Sequence, residues 1–104
     1  MSYEAEWKEE PIAREELDRM KGYVVVEFGA DWCPHCQAVQ PALKRALESN
    51  DVPHFKVADG KGKRLGRSFA VKLWPNLILL KDGEIQGQLA RPSEEELTEL
   101  LTFS

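Results

Sequence analysis

Residues 24–36 read Val24-Val25-Val26-Glu27-Phe28-Gly29-Ala30-Asp31-Trp32-Cys33-Pro34-His35-Cys36. An apolar, β-branched run gives way within a few residues to two cysteines spaced i and i+3, the only two in the chain. Tyr23 to Phe28 predicts a central strand buried on both faces. Proline suits the first turn of a helix. A helix is therefore predicted from Pro34 to about Ser49, with Val39, Ala42, Leu43, Ala46 and Leu47 as its apolar stripe. Pro41 falls inside this helix and is expected to kink it. Both thiols then sit at a helix N-terminus, which is electropositive and favours thiolate over thiol. A Cys-x-x-Cys in a strand-to-helix setting reads as a dithiol redox site.

Outward from that turn, the pattern continues to alternate. Residues 3–8 predict a short edge strand. Ile12 to Met20 predicts a helix with Ile12, Leu17 and Met20 inward, stopped by Gly22. After Asp51-Val52-Pro53 comes a strand, His54 to about Ala58, and then a short helix near Lys63 to Phe69. Asn76 to Lys81 and Glu84 to Leu89 flank Asp82-Gly83, a tight-turn signal, and form a hairpin. Ser93 with Glu96 makes a capping box for a last helix running to about Thr102, with Leu97, Leu100 and Leu101 inward. The order β-α-β-α-β-α-β-β-α implies parallel pairing first, an antiparallel hairpin after it, and helices on both faces of a mixed sheet. Residues 1–104 are expected to form one domain.

Composition narrows the function classes. The chain has 14 basic and 18 acidic residues and a net charge of −4, which does not suggest a nucleic-acid binder. With 42% hydrophobic residues it has enough for a modest core without staples. The start of the chain, Ser2-Tyr3-Glu4-Ala5-Glu6, has neither the basic nor the apolar region of a signal peptide. No apolar run approaches the roughly 20 residues of a membrane span. The expected compartment is a reducing cytoplasm, where a disulfide is more often catalytic than structural.

Four separated segments then resemble one family. Glu27-Phe28-Gly29-Ala30-Asp31-Trp32-Cys33-Pro34-His35-Cys36 resembles the acid-Phe-x-Ala-x-Trp-Cys-x-x-Cys segment of the thioredoxin family, and Pro41 matches its helix-kinking proline. Trp74-Pro75-Asn76-Leu77 resembles its x-Pro-Thr-Leu segment, and Lys81-Asp82-Gly83-Glu84 its Lys-x-Gly-Glu hairpin. The resemblance spans roughly residues 5–103 and implies the thioredoxin fold. It also implies that Pro75 is cis and presents the Trp74 backbone opposite Cys33 to extended substrate strands. There are departures. Pro34-His35 stands where ordinary thioredoxins have Gly-Pro, and is the dipeptide of the superfamily's strongly oxidising periplasmic branch. The buried acid is Glu27 rather than aspartate. Aligned without gaps, the lysine that partners it falls on Phe55, with Lys56 adjacent. Trp74 replaces a smaller residue, and near Ala90-Arg91 the family usually has a glycine that lets a partner backbone approach.

The residues then take these expected roles. Cys33 is the nucleophile and the more buried Cys36 resolves the mixed disulfide. Glu27, in an apolar run, is expected to have a raised pKa and to accept the Cys36 proton; a solvent-facing glutamate is the alternative. Pro34 and His35 tune the couple, His35 by favouring the thiolate, or else His35 is a surface residue without a role. That tuning would place the potential about 20–45 mV above ordinary thioredoxin. Trp32, Trp74, Pro75, Ala90 and Arg91 form the substrate-binding rim, with plain packing as the alternative for the two tryptophans. A structural staple, and a zinc site drawing on His35 and His54, are the other readings of the cysteine pair. His54 has no evident partner. Lys61, Lys63, Arg64 and Arg67 lack phosphate-loop spacing and read as a solvated face. The expected protein is a monomeric thiol–disulfide oxidoreductase without a bound cofactor, reducing protein disulfides and recharged by a thioredoxin reductase. A more oxidising oxidase or isomerase, and a noncatalytic binding module of the same fold, are the rivals.

Overall fold

The computed structural model describes residues 3–48 and 50–102. The elements are β1 (Lys8–Glu9), α1 (Arg14–Arg19), β2 (Tyr23–Gly29), α2 (Pro34–Glu48), β3 (His54–Ala58), α3 (Arg64–Ser68), β4 (Asn76–Lys81), β5 (Glu84–Ala90) and α4 (Glu94–Leu100). The five strands form one sheet in the order β1-β3-β2-β4-β5. β1 and β2 run parallel to β3, while β4 runs antiparallel to both β2 and β5. This is the expected mixed sheet of the thioredoxin fold.

The edges differ from the sequence reading. The edge strand is only Lys8–Glu9, not residues 3–8, and residues 3–7 belong to no strand. α1 begins at Arg14, so Ile12 packs from outside the helix. The expected end of α2, Ser49, lies outside the described residues. α2 runs through Pro41, whose missing N–H leaves the Gln37 carbonyl without its intrahelical donor. The capping box at α4 is present: Glu96 N–H donates to Ser93 Oγ at 3.1 Å, and Ser93 N–H donates to the Glu96 carboxylate at 2.9 Å. Asp82 and Gly83 both have positive φ, 51° and 83°, as the tightest hairpin turns require.

Strand alternation divides the core. Val24, Val26 and Phe28 point with Val57, Ile78 and Leu80 toward α1 and α3. Val25 points with Leu77 and Leu79 toward Val39, Leu43 and Leu47 of α2 and Leu97 and Leu101 of α4. Side chains alternate faces with period two, so Glu27 and Gly29 share the α2 side with Val25. The fold therefore carries a carboxylate and a glycine to the start of α2, where both cysteines lie.

Candidate functional site

Cys33 immediately precedes α2 and takes the place of its N-cap. The Cys36 N–H, one of the helix's unpartnered donors, points at Cys33 Sγ at 3.3 Å, as a capping oxygen would be bonded. Both cysteines are free thiols. Each is buried as a whole residue, Cys33 5% and Cys36 1% exposed. Cys36 packs inward against the Gly29 backbone. A Cβ at Gly29 would lie 2.5 Å from Cys36 Sγ and 2.7 Å from the Trp7 ring; only glycine leaves room for sulfur and indole together. Burial, and next the hydrogen bond with Cys33, push the Cys36 thiol up to about 12, with the Glu27 charge adding to the rise.

Behind Cys36 lies a closed polar cluster. Glu27 is fully buried, so its solvent-facing alternative falls. Lys56 Nζ lies 3.0 and 3.2 Å from its two oxygens. His54 Nε2 lies 2.9 Å from Oε1, and Gln40 Nε2 donates to Oε2 at 2.8 Å. Gln40 spends all its capacity here. Its second N–H donates to the Cys36 carbonyl at 2.8 Å, and its oxygen accepts from Tyr3 Oη at 2.6 Å and from Lys56. His54 Nδ1 accepts the Glu4 N–H at 2.8 Å, so the ring hydrogen sits on Nε2 and is donated to Glu27. The Lys56 ammonium also lies 4.2 Å from the centre of the Trp7 ring. No buried side-chain nitrogen or oxygen among the described residues lacks a partner.

This cluster corrects two sequence expectations. Glu27 is not raised. Burial is the largest influence and acts upward, but the His54 hydrogen bond, the Lys56 charge and the Gln40 hydrogen bond together hold the carboxyl below its ordinary value. Its partner is Lys56, not Phe55. In the parallel pairing of β2 with β3, Glu27 stands opposite Lys56, and Phe55 turns to the other face against the α1–α3 core. A one-residue slip in an alignment moves a strand residue to the wrong face. Lys56 is itself lowered, chiefly by its burial, against the upward pull of Glu27.

The front of the site is open. Trp32 is 69% exposed and meets half-buried Trp74 edge-on, with ring centroids 5.6 Å apart. Trp74 Nε1 donates to the Asp59 carboxylate at 2.9 Å. The Trp74–Pro75 peptide is cis. Ala90 closes β5 opposite Asn76. Arg91 N–H donates to the Pro75 carbonyl at 2.8 Å, and Arg91 Nε to the Trp74 carbonyl at 2.9 Å. His35 is exposed and, among the described residues, hydrogen-bonds neither sulfur. Lys61, Arg64 and Arg67 are exposed, as a solvated face requires, whereas Lys63 is half-buried and paired with Glu9 at 2.6 Å. Among the described residues no three His, Cys, Asp or Glu side chains are grouped to hold a metal ion.

The structure thus brings Trp32, Cys33, Pro34, His35, Cys36, Trp74, Pro75 and Arg91 to one end of the sheet, with Glu27 beneath. Sequence reasoning missed Tyr3, Trp7, Gln40, His54 and Lys56 as parts of this site. Two signals pointed to them. Gln40 is one helical turn beyond Cys36, and His54 and Lys56 share a face two residues apart in a strand next to β2.

Comparison with known proteins agrees with this architecture. The family model described as Thioredoxin matches residues 6–102. The chain is 29% identical over 93 residues to Thioredoxin H3 of Arabidopsis thaliana, covering 88% of this chain and 76% of that one. It is 31% identical over 83 residues to a thioredoxin of Chlamydia trachomatis, covering 78% and 81%. Thioredoxin 2 from Pseudomonas aeruginosa in its reduced form superimposes with a TM-score of 0.81 at 48% identity, over 94% of this chain and 93% of that one. The dithiol, the sheet that carries it and these likenesses lead to one conclusion: the chain belongs to the thioredoxin family and is a thiol–disulfide oxidoreductase.

Proposed function

We propose that this protein reduces protein disulfides by cycling Cys33 and Cys36 between dithiol and disulfide. The Cys33 thiolate attacks one sulfur of the target disulfide, forms a mixed disulfide and releases the first target thiolate. Cys36 then loses its proton and attacks Cys33 Sγ. The second target thiolate leaves and is protonated, and two electrons have passed from the dithiol to the target. One observation carries the assignment. The helix N-terminal donor is aimed at Cys33, while Cys36 is pushed up to about 12 and stays a thiol at neutral pH. Once Cys33 is tied up in the mixed disulfide, its hydrogen bond and charge no longer hold the Cys36 proton. Ionised Glu27 beneath is then the group to receive it.

No bound cofactor is needed for this exchange. A thioredoxin reductase would recharge the disulfide, so the protein serves as an electron carrier in redox homeostasis. Confinement of both cysteines to one reactive turn supports a reducing cytoplasm as its compartment, and a single-domain monomer suffices for the chemistry. Exposed His35, without a hydrogen bond to sulfur, favours a reductant over the more oxidising reading. The paired, packed surroundings of Cys36 favour a catalyst over a noncatalytic module. A limiting amount of iodoacetamide added to the reduced protein at neutral pH should label Cys33, and preferential labelling of Cys36 would reverse the roles. In insulin reduction driven by dithiothreitol, Cys33→Ser should abolish turnover, whereas Cys36→Ser should accumulate the mixed disulfide.

A further inference from the structure

We propose that Arg91 is a specificity-determining residue that selects target segments carrying a carboxylate next to the reacting cysteine. The proposal rests on the disulfide-reducing reading above and deepens it.

The residue after β5 is fixed by its own backbone: Arg91 N–H is bonded to the Pro75 carbonyl, and its φ is +50°. That conformation is uncommon for any residue but glycine, asparagine or aspartate. It turns the side chain back over the Trp74 segment, where Nε holds the Trp74 carbonyl. Trp74, which carries this oxygen, packs against the Cys33 and Cys36 cluster and with exposed Trp32 borders an open strip there. An extended target segment laid on that strip would use such backbone groups for its own hydrogen bonds. A carbonyl has two lone pairs, so the target N–H can share the oxygen with Arg91 or displace it. In either case a guanidinium lies next to the incoming chain.

The charge balance of the adjoining groove gives the sign of the selection. His35, Val39, Arg45, Pro75, Arg91 and Glu94 are among the residues lining a groove of about 400 Å³ that leads from the redox turn. Its one acid, Glu94, is already paired with Arg45 at 2.7 Å. Arg91 has no carboxylate partner among the described residues, and both its Nη nitrogens are free of hydrogen bonds there. A guanidinium fork with unused donors matches a carboxylate in geometry as well as charge. Although the chain as a whole carries −4, this groove, which starts at His35 of the redox turn, presents the unpaired positive charge of Arg91.

Two disulfide-linked peptides, alike except for Glu or Lys beside the reacting cysteine, test this with dithiothreitol as the electron source. The quantity read is the ratio of kcat/KM for the Glu peptide to that for the Lys peptide, in which any general loss of activity cancels. The wild-type protein should favour the Glu peptide by about fivefold, the scale of a partly exposed ion pair. Arg91→Lys, which keeps the charge and loses the fork, should keep only part of the preference, Arg91→Gln should bring the ratio near one, and Arg91→Glu should invert it. A wild-type ratio near one, or an unchanged ratio in Arg91→Gln, would overturn the proposal alone. Failure of the wild-type protein to reduce either peptide would overturn the disulfide-reducing reading, and the proposal with it.

Discussion

Cys33 and Cys36 belong to one helical turn, but the protein on either side of that turn is built differently. In front of Cys33 stand an exposed tryptophan, a second indole packed edge-on, and an arginine bonded to backbone. Behind Cys36 every buried side-chain polar atom among the described residues is paired: Glu27 with Lys56, His54 and Gln40, and Gln40 with Tyr3 and the Cys36 carbonyl. The front takes its form from a local event, a strand ending and a helix beginning. The rear exists only where β2 and β3 lie in register and Tyr3, Glu4 and Trp7 pack onto the cluster. A front of this kind can vary with its targets at little cost in stability. A rear of this kind loses stability when any one member is removed, because the others are left buried and unpaired.

The sharpest way to break the contrast is Lys56→Met. It leaves the Glu27 carboxylate buried with two neutral donors and no countercharge. Unfolding in denaturant should show a loss of about 3–5 kcal/mol. A loss under about 1 kcal/mol, the scale of a surface pair, would mean the rear is no more demanding than the front.

Glu27→Gln refines the electrostatics, with an intermediate effect of about 1–3 kcal/mol. The folded-state pKa of Glu27 lies below its ordinary value. Between the two values the unfolded chain binds the proton and the folded protein does not, so stability rises with pH there. The contribution of Glu27 should therefore be complete above the ordinary glutamate value of about 4.3 and fade as the pH falls through the lower folded value. Measured across pH 2–8, the advantage of wild type over Glu27→Gln should be flat at neutrality and shrink in acid. An advantage that grew on acidification would restore the raised carboxyl anticipated from the apolar run.

The smallest effect is expected at the front. His35→Ala, read by equilibration with a dithiothreitol redox buffer, should lower the potential by no more than about 30 mV, equivalent to about 1.4 kcal/mol. A larger drop would mean that this exposed histidine sets the poise after all.

The sequence made the front legible and the rear largely not. Hydrophobic period, Pro34 at the helix start, Asp82-Gly83 and Ser93 with Glu96 are short-range signals, and the elements they mark appear where expected, within a few residues. Val24 to Phe28 announced its own burial, and Glu27 was visible as a polar residue inside it. Its partners were not, because they depend on which strand is neighbour and in what register. His54 had no evident partner because one of them is a backbone amide far away in sequence, at Glu4. Phe55 was credited with the lysine position because one-dimensional alignment does not know which face a strand residue takes. The sign of the Glu27 shift failed for the same reason: burial was legible and the countercharge was not.

The bond from the Glu4 amide to His54 has a further consequence. Residues 3–7 belong to no helix or strand, and amides in such stretches usually trade their hydrogen with solvent quickly. This one is held by a buried imidazole. It is free to exchange only when that bond opens, and opening it uncovers His54, one of the groups that hold Glu27 behind the resolving sulfur. The lifetime of that single hydrogen is then a clock for how often the redox centre is opened from behind.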